Sequence, residues 1–332
     1  MRRVTARDVA ELAGCSVSAV SLVVNGRSSG RINPVLLERI TTAIRELGYI
    51  PNASARDLVT QKPSNIAFLC PDITNPFFGE VFKGVIRATD GRFGVDLRVQ
   101  SHGEAYGPQT VSEVQVNNLA GLILAGPSSE VLENYVSTCP TLIIDAPSMS
   151  EGIASIELDL VSASRQLAEH LVGLGHREIV YIDLAVQKRT FELRYESLVE
   201  TLAARGVRLS RRVEVATMTV ASAQQAFAAH AEQWRADGVT AIVCADDVLA
   251  YGVVAGARAQ GIDLPGQFSL ASYNDVPYSR LLNPALTSVA FGALHVGETA
   301  GMALLKLIDG LGADHSMLPT VLMARESTAS LR

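Results

Sequence analysis

The sequence predicts two folded parts: an all-α head with a helix-turn-helix arrangement (residues 1–50) and an α/β body of two doubly wound lobes (residues 63–332). Three observations support this fold class. The 332 residues suffice for about two domains. Helix start and stop signals follow one another closely along the head. In the body, short apolar runs alternate with amphipathic stretches, a pattern typical of parallel sheets covered by helices.

Two short helices are predicted at the start of the head. Thr5 and Asp8 begin the first helix as a hydroxyl cap and a first-turn carboxylate, and Gly14 suits the left-handed residue that ends it. Ser16 caps the second helix, over residues 17–24. The residues expected on the apolar faces of these helices are Val9, Leu12, Ala13, Val17, Val20, Val23 and Val24.

A third helix begins with Asn33 as the cap and Pro34 in the first position, and it ends before Gly48. Its apolar stripe consists of Leu36, Leu37, Ile40, Ile44 and Leu47. Two short helices followed by a third that covers them form a helix-turn-helix unit, which places the start of its second helix in the DNA major groove. The spacing alone fits a three-helix bundle without a ligand as well.

Charge and composition narrow the classes of protein to which the chain can belong. The net charge of −6 conceals a head and linker (residues 1–62) of nine Lys and Arg against five Asp and Glu, a net +4, followed by an acidic remainder of −10. Such asymmetry is one indication of nucleic-acid contact. No apolar run reaches the ~18 residues of a membrane span, and the N-terminus lacks the apolar core of a signal peptide. We therefore expect a cytoplasmic protein with no membrane partner.

The identities of the residues in the head indicate a family more specifically than their spacing does. The run VTARDVAELAGCSVSAVSLVVNG, followed by ELGYIPNASARDL, resembles the DNA-binding head and hinge of the lac repressor family (LacI/GalR) of bacterial transcription regulators. The resemblance implies that Val17, Ser18 and Leu22 read bases. The positions that it implies at the DNA are Thr5, Ser16, Val17, Ser18, Ser21, Leu22, Asn25, Arg31, Tyr49, Asn52, Ala55 and Leu58.

Leu22 departs from the family, in which Arg is common at this position. Arginine can read guanine with two hydrogen bonds, whereas leucine can only touch an apolar edge such as a thymine methyl group. We therefore expect a different base preference here. Arg27 and Arg31, in the segment GRSSGR, either contact phosphates or belong to a solvated loop.

Residues 51–62 form the expected hinge and linker between head and body. The stretch NASARDLV within it is too short to be a stable helix alone, because helix nucleation is costly. The resemblance implies that two hinge helices of a homodimer pack in the minor groove and that Leu58 inserts between base steps. An ordinary ordered linker is the alternative.

The body has eight candidate strands. They lie at residues 66–70, 95–100, 121–125, 141–145, 179–183, 213–216, 241–245 and 269–273.

The motifs GxGxxG after a strand, GxxxxGK[ST], GxSxG and HExxH are all missing, so we expect no enzyme activity and no cofactor. His176 fits a turn-stabilising role better than a general base. Asp246 and Asp247 stand at a strand end and begin a helix, which favours a helix cap plus a hydrogen-bonding residue of the cleft over paired carboxylates for acid–base chemistry or metal binding. The four scattered cysteines predict reduced thiols and no metal site.

The family resemblance continues through the body in PDITNPFF, LGHR, ADD, YND, PALT and REST. It implies a body similar to periplasmic sugar-binding proteins, in which two lobes joined by three crossover strands close on a small effector. The crossovers are expected near Asp159, Phe291 and Met323. The lobes would then comprise 63–159 with 292–322 and 160–291 with 323–332.

By the same resemblance, the effector-binding positions are Asp72, Phe78, Asp145, Thr190, Arg194, Met218, Asp246 and Asn274. Arg194 is the main expected contact, because a guanidinium can fork onto vicinal hydroxyls or an anion. Phe78 either stacks on a ligand ring or belongs to the core. Asp246 replaces a common Asn and Asn274 a common Asp, which exchanges donors and acceptors. Met218 replaces a frequent aromatic residue. A nucleoside or a modified sugar is therefore as suitable an effector as a sugar.

The resemblance implies a homodimeric transcription regulator, a repressor, that binds a pseudo-palindromic double-stranded operator and responds to a small-molecule effector. Two alternatives belong to other classes. A cytoplasmic solute-binding protein without DNA function would not need the head. An enzyme on a doubly wound fold would need motifs that the body does not contain.

Overall fold

A computed structural model of the chain describes residues 4–50, 63–99, 106–116, 118–146, 152–186, 188–313 and 315–331. The chain divides into two compact units, residues 1–63 with the head and residues 64–332 with the body. The head is all-α and the body has parallel sheets covered by helices, which confirms the predicted fold class. No helix within the described ranges is both long and apolar enough to cross a membrane.

The head consists of α1 (Ala6–Ala13), α2 (Val17–Val24) and α3 (Pro34–Leu47). The predicted caps Thr5, Ser16 and Asn33 each accept a hydrogen bond from a backbone N–H of the first turn. Gly14 and Gly48, which end α1 and α3, have φ of 63° and 59°, a left-handed conformation that favours glycine. The helix bounds in the head thus follow from local chemistry.

The head has a small buried core made of Val9, Ala10, Ala13, Val20, Ile40 and Ala43. Two residues predicted on the apolar faces lie outside it, because Leu12 is 51% exposed and Val17 is 47% exposed. A core of this size covers only the middle of such short helices. The first turn of α2, with Ser16 and Ser18 also exposed, therefore projects from the head.

The body alternates strands and helices. The strands are β1 (Asn65–Cys70), β2 (Gly94–Val99), β3 (Gly121–Ala125), β4 (Thr141–Ile144), β5 (Ala154–Leu158), β6 (Glu178–Leu184), β7 (Arg208–Val215), β8 (Ala241–Cys244), β9 (Ser269–Asn274), β10 (Thr287–Ala290), β11 (Ser316–Leu318) and β12 (Val321–Met323). The helices are α4 (Pro76–Thr89), α5 (Pro108–Gln115), α6 (Ser129–Glu133), α7 (Leu160–Gly173), α8 (Arg189–Ala204), α9 (Val220–Ala236), α10 (Asp247–Gln260) and α11 (Ala293–Ile308).

The strands form two six-stranded sheets. The first has the order β11-β5-β4-β3-β1-β2 and the second β12-β10-β9-β8-β6-β7. All pairs are parallel except β10 with β12, which are antiparallel. We call the two sheets with their covering helices the first and second lobes.

The chain passes between the lobes three times. It crosses at Asp159 after β5, at residues 291–292 after β10, and at residues 319–320 between β11 and β12. The sequence predicted the third passage near Met323, and the structure has it a few residues earlier. Met323 itself belongs to the second sheet, because it pairs with Ser288 of β10.

Helix α11 completes the first lobe by packing closely against α4. A Cβ atom on Gly84 of α4 would overlap the carbonyl oxygen of Leu294, and one on Gly297 of α11 would overlap the carbonyl oxygen of Val81. The glycines therefore let the two backbones touch. A segment from late in the chain is in this way an integral part of the first lobe.

Candidate functional site

A cleft lies between the two lobes at the carboxyl ends of their strands, where ligands of doubly wound sheets bind. Residues of both lobes line it, and they include polar side chains as well as the rings of Phe77, Phe78 and Phe191. The structure brings all eight predicted effector positions to the lining of this cleft: Asp72, Phe78 and Asp145 from the first lobe, and Thr190, Arg194, Met218, Asp246 and Asn274 from the second.

Three of these side chains form a hydrogen-bonded chain on the second lobe. The guanidinium of Arg194 donates to the backbone oxygen of Ala245 at 2.7 Å and to Oδ1 of Asn274 at 3.1 Å. Nδ2 of Asn274 donates in turn to Oδ2 of Asp246 at 2.6 Å. Both terminal nitrogens of Arg194 thus already donate to the protein. The residue expected to bind an effector most strongly also organises the cleft.

Aromatic rings surround the buried guanidinium of Arg194, which is 3% exposed. Its central carbon lies 4.8 Å from the ring centroid of Phe291, 5.2 Å from that of Tyr273 and 5.6 Å from that of Phe191. Nε is buried and makes no hydrogen bond to any residue that the structure describes. The charge is held by ring faces and neutral acceptors, which fixes the orientation of the side chain.

Asp246 is a cap and a cleft residue at once, as the sequence predicts. Its Oδ1 accepts the N–H of Val248 at 2.8 Å and thereby caps α10. Its Oδ2 accepts Nδ2 of Asn75, from the first lobe, at 2.9 Å. Burial raises the pKa of this carboxyl, whereas the hydrogen bonds and the charge of Arg194 lower it.

A second polar group faces the cleft around Asp145, which follows β4 and has φ of 58°. Thr190 Oγ1 donates to Oδ1 of Asp145 at 3.1 Å. Burial raises the pKa of Asp145, while Arg194 and Lys188 lower it. Burial also lowers the pKa of Lys188, against the opposite effect of Asp145 and Asp72. Carboxylates and an ammonium group placed in this way suit a ligand with several hydroxyl groups.

The remaining wall of the cleft is apolar. Phe78 is half-buried, with its ring centroid 5.3 Å from that of Phe77 in an edge-on arrangement. Phe78 and Met218 both pack on the hydrophobic core while lining the cleft. The two predicted roles of Phe78, core residue and ring contact, are therefore compatible.

Asn75, Lys188 and Phe191 are among the cleft residues that sequence reasoning missed. Asn75 stands inside the motif PDITNPFF, and the other two flank the predicted Thr190. Their positions next to predicted residues were the available signal. Their contacts, however, depend on elements that are distant in the chain.

His176 lies in the turn before β6 and is 1% exposed. Its Nδ1 pairs with Oγ1 of Thr240 at 2.9 Å and its Nε2 with the backbone oxygen of Ala329 at 3.1 Å. Burial lowers the pKa of this imidazole. These contacts support the predicted turn-stabilising role. Within the described ranges, no group of three or more His, Cys, Asp or Glu could hold a metal ion.

The predicted DNA-contacting residues of α2 share one face. Val17, Ser18, Ser21 and Asn25 are exposed and Leu22 is half-buried. Ser16 is exposed as well, and its Oγ accepts the N–H of Ala19 at 3.2 Å. An eight-residue helix with this much uncovered surface can enter a groove without rearranging the core.

The other predicted DNA-contacting residues have varied surroundings. Thr5 Oγ1 donates to Asp8 at 2.7 Å, Arg31 is exposed, and Tyr49 packs against the core of the head. Asn52, Ala55 and Leu58 lie outside the described residues.

A helix-turn-helix head and a body with a polar cleft between two lobes together define the class of effector-responsive DNA-binding regulators. Residues 5–52 match the family described as "Bacterial regulatory proteins, lacI family", and residues 168–328 match "Periplasmic binding protein-like domain". The chain thus carries a lacI-family DNA-binding domain and a periplasmic-binding-protein-like domain.

Known proteins resemble the chain along nearly its whole length. Catabolite control protein A of Priestia megaterium is 27% identical over 336 residues, covering 98% of this chain and 99% of that protein. The HTH-type transcriptional regulator GalR of Escherichia coli (strain K12) is 28% identical, covering 92% and 89%. A lac repressor dimer bound to operator and the anti-inducer ONPF has a TM-score of 0.81 at 24% identity, covering 99% and 100%.

Proposed function

We propose that the protein is a homodimeric transcription repressor that binds a pseudo-palindromic operator and is controlled by a small molecule in the cleft. The observation that supports this proposal is the exposed face of α2, which presents Val17 and Ser18 to solvent. Two copies are needed because a two-fold operator is read by a two-fold protein. The similar lac repressor structure is described as a dimer on its operator.

Within the head, we propose that Val17, Ser18 and Leu22 read base edges. Thr5, Ser16, Ser21, Asn25, Arg31 and Tyr49 would position the head on the DNA backbone. We assign residues 1–50 to the DNA-binding domain, 51–62 to the hinge and 63–332 to effector binding and dimerisation. Asn52, Ala55 and Leu58 of the hinge would contact the minor groove.

Operator binding is tested by a gel shift with genomic fragments, followed by variants of the head. Val17→Ala should weaken retention of the selected fragment about tenfold, because one lost base contact costs roughly 1–3 kcal/mol. Val35→Ala is the matched control, since Val35 is also an exposed valine of the head, at 69%. Failure to retard any fragment selectively, at every salt and ligand concentration, would refute the regulator.

We propose a sugar, a nucleoside or a related metabolite as the effector. Asp72, Asp145 and Lys188 offer hydrogen bonds to hydroxyl groups, and Phe78 offers a ring face. A cytoplasmic location fits such a ligand.

A thermal-shift screen of sugars, nucleosides and their phosphates tests effector binding, since a bound ligand raises the melting temperature. We expect Arg194→Ala to weaken the best hit at least tenfold through loss of the organised cleft. Arg205→Ala, at the exposed end of the same helix, is the control. Equal affinity of both variants would contradict our assignment of Arg194.

A further inference from the structure

Asn75 connects the two lobes although it was not among the predicted site residues. Its Oδ1 accepts the N–H of Phe77 at 3.0 Å and thereby caps α4. Its Nδ2 donates to Oδ2 of Asp246 at 2.9 Å, across 171 positions of the sequence. One side chain therefore both starts a helix of the first lobe and contacts the second.

Asp246 has the corresponding place in the second lobe, because it caps α10. A single hydrogen bond thus joins the caps of two helices that belong to different lobes. The same carboxylate oxygen also accepts Nδ2 of Asn274, whose Oδ1 accepts from Arg194. The amide of Asn75 is consequently hydrogen-bonded to the same carboxylate that holds Asn274 and, through it, Arg194.

Burial makes this contact matter for the arrangement of the lobes. Asn75 is 7% exposed and Asp246 is 2% exposed, so little water reaches either group where the lobes meet. Separating the lobes would remove a donor from a charged acceptor until water enters. The contact therefore favours the arrangement in which the two lobes meet at these side chains.

We propose that Asn75 is a positioning residue that holds the lobes closed in the ligand-free protein and acts on Asn274 and Arg194 through Asp246. The inference rests on the proposed function, because it assigns a regulatory step to the same cleft. An effector then meets a formed cleft and need not supply all the free energy of closure. Loss of the contact reduces the binding-competent fraction and weakens the apparent affinity in proportion.

Hydrogen–deuterium exchange of the full ligand-free chain tests the contact directly. Asn75→Asp keeps a good helix cap but replaces the donor with a carboxylate facing Asp246. Two adjacent carboxyls readily share one proton in acid but repel when both are ionised. We expect cleft peptides 71–78 and 244–249 to exchange at the wild-type rate at pH 5.5 and about tenfold faster than wild type at pH 8.5.

Two further variants separate this role from general effects. Asn75→Ser keeps the cap but cannot reach Asp246, and it should speed exchange at both pH values. Ser128→Asp adds the same charge to the cleft lining at the cap of α6, where the side chain accepts from Val131 of its own helix. It should exchange like wild type. Wild-type exchange of Asn75→Asp and Asn75→Ser at pH 8.5, or equal behaviour of Ser128→Asp and Asn75→Asp, overturns the proposal.

The experiment requires neither DNA nor effector, so its result is independent of the proposed function. A wild-type protein that retains no operator fragment refutes the regulator without changing the exchange data. Unchanged exchange in the Asn75 variants refutes the positioning role and leaves operator binding intact.

Discussion

Asp247 is a buried carboxylate directly behind the cleft. It is fully buried, and its oxygens accept hydrogen bonds from the hydroxyls of Ser272, Ser279 and Ser288 and from the N–H of Val276. Desolvation outweighs these bonds and raises the pKa of Asp247 to about 7. The bonds to Val276 and Ser279 hold the segment that directly follows Asn274, the last residue of β9, whose φ is 105°. Asp247 thus supports a cleft residue without lining the cleft.

The raised pKa of Asp247 predicts how stability changes with pH. The folded protein holds a proton on this group that the unfolded chain loses at about pH 4. The contribution of Asp247 to the free energy of unfolding should therefore fall as the pH rises from about 4 to about 7, and level off above that. Asp247→Asn should remove this part of the pH dependence.

Melting temperatures of both proteins between pH 4.5 and 8.5 test this prediction. Asp237→Asn, at an exposed helix end, is the control and should keep the wild-type slope. If Asp247→Asn also keeps that slope, Asp247 does not titrate as described.

The sequence could predict which residues line the cleft, but it could not predict the contacts between them. Asp72, Asp145 and Asn274 stand at or just after strand ends, and the topology of parallel sheets brings such ends together. By contrast, the contact between Asn75 and Asp246 depends on how two lobes meet, and no local pattern encodes it.

At the scale of helices and strands, the sequence predicted those elements whose bounds depend on local caps or on an apolar run of their own. The head helices start and end at the predicted caps, and all eight predicted strands are present within a few residues of their expected bounds. The strands β5, β10, β11 and β12 were not predicted. They are three to five residues long, and β5 and β10 include polar residues, so pairing with neighbours stabilises them rather than an apolar run of their own.

Contact between α4 and α11 predicts opposite effects for two glycines of α4. Gly84→Ala should destabilise the protein by about 1–3 kcal/mol, because the added methyl group meets the backbone of α11. Gly79→Ala should stabilise it by roughly 0.5–1 kcal/mol, since alanine favours helices and the space beside Gly79 is open. Urea denaturation measures both. The same sign of change for both variants would contradict the close packing.

At the scale of the whole molecule, the net charge of −6 describes mainly the body. The +4 of residues 1–62 belongs to the part that we propose binds DNA, and it should make binding strongly dependent on salt.

Arg31→Ala should therefore weaken binding to all DNA sequences and reduce the slope of log affinity against log salt by about 1. Ser18→Ala should change sequence preference and leave the slope unchanged, because it removes no charge. Fluorescence anisotropy with selected and random duplexes at several salt concentrations distinguishes the two. An unaltered slope for Arg31→Ala would assign that residue to the solvated loop.

Because the chain passes between the lobes three times, neither lobe can be completed during synthesis until late segments of the chain have been made. The first lobe lacks α11 and β11 until residue 318 is made, and in the second lobe the backbone N–H of Leu331 donates to Leu174. At roughly 5–20 residues per second, the head is finished tens of seconds before the body. During that interval a nascent chain has its DNA-binding surface but no complete sensor, and α4 exposes to chaperones the face that α11 later covers.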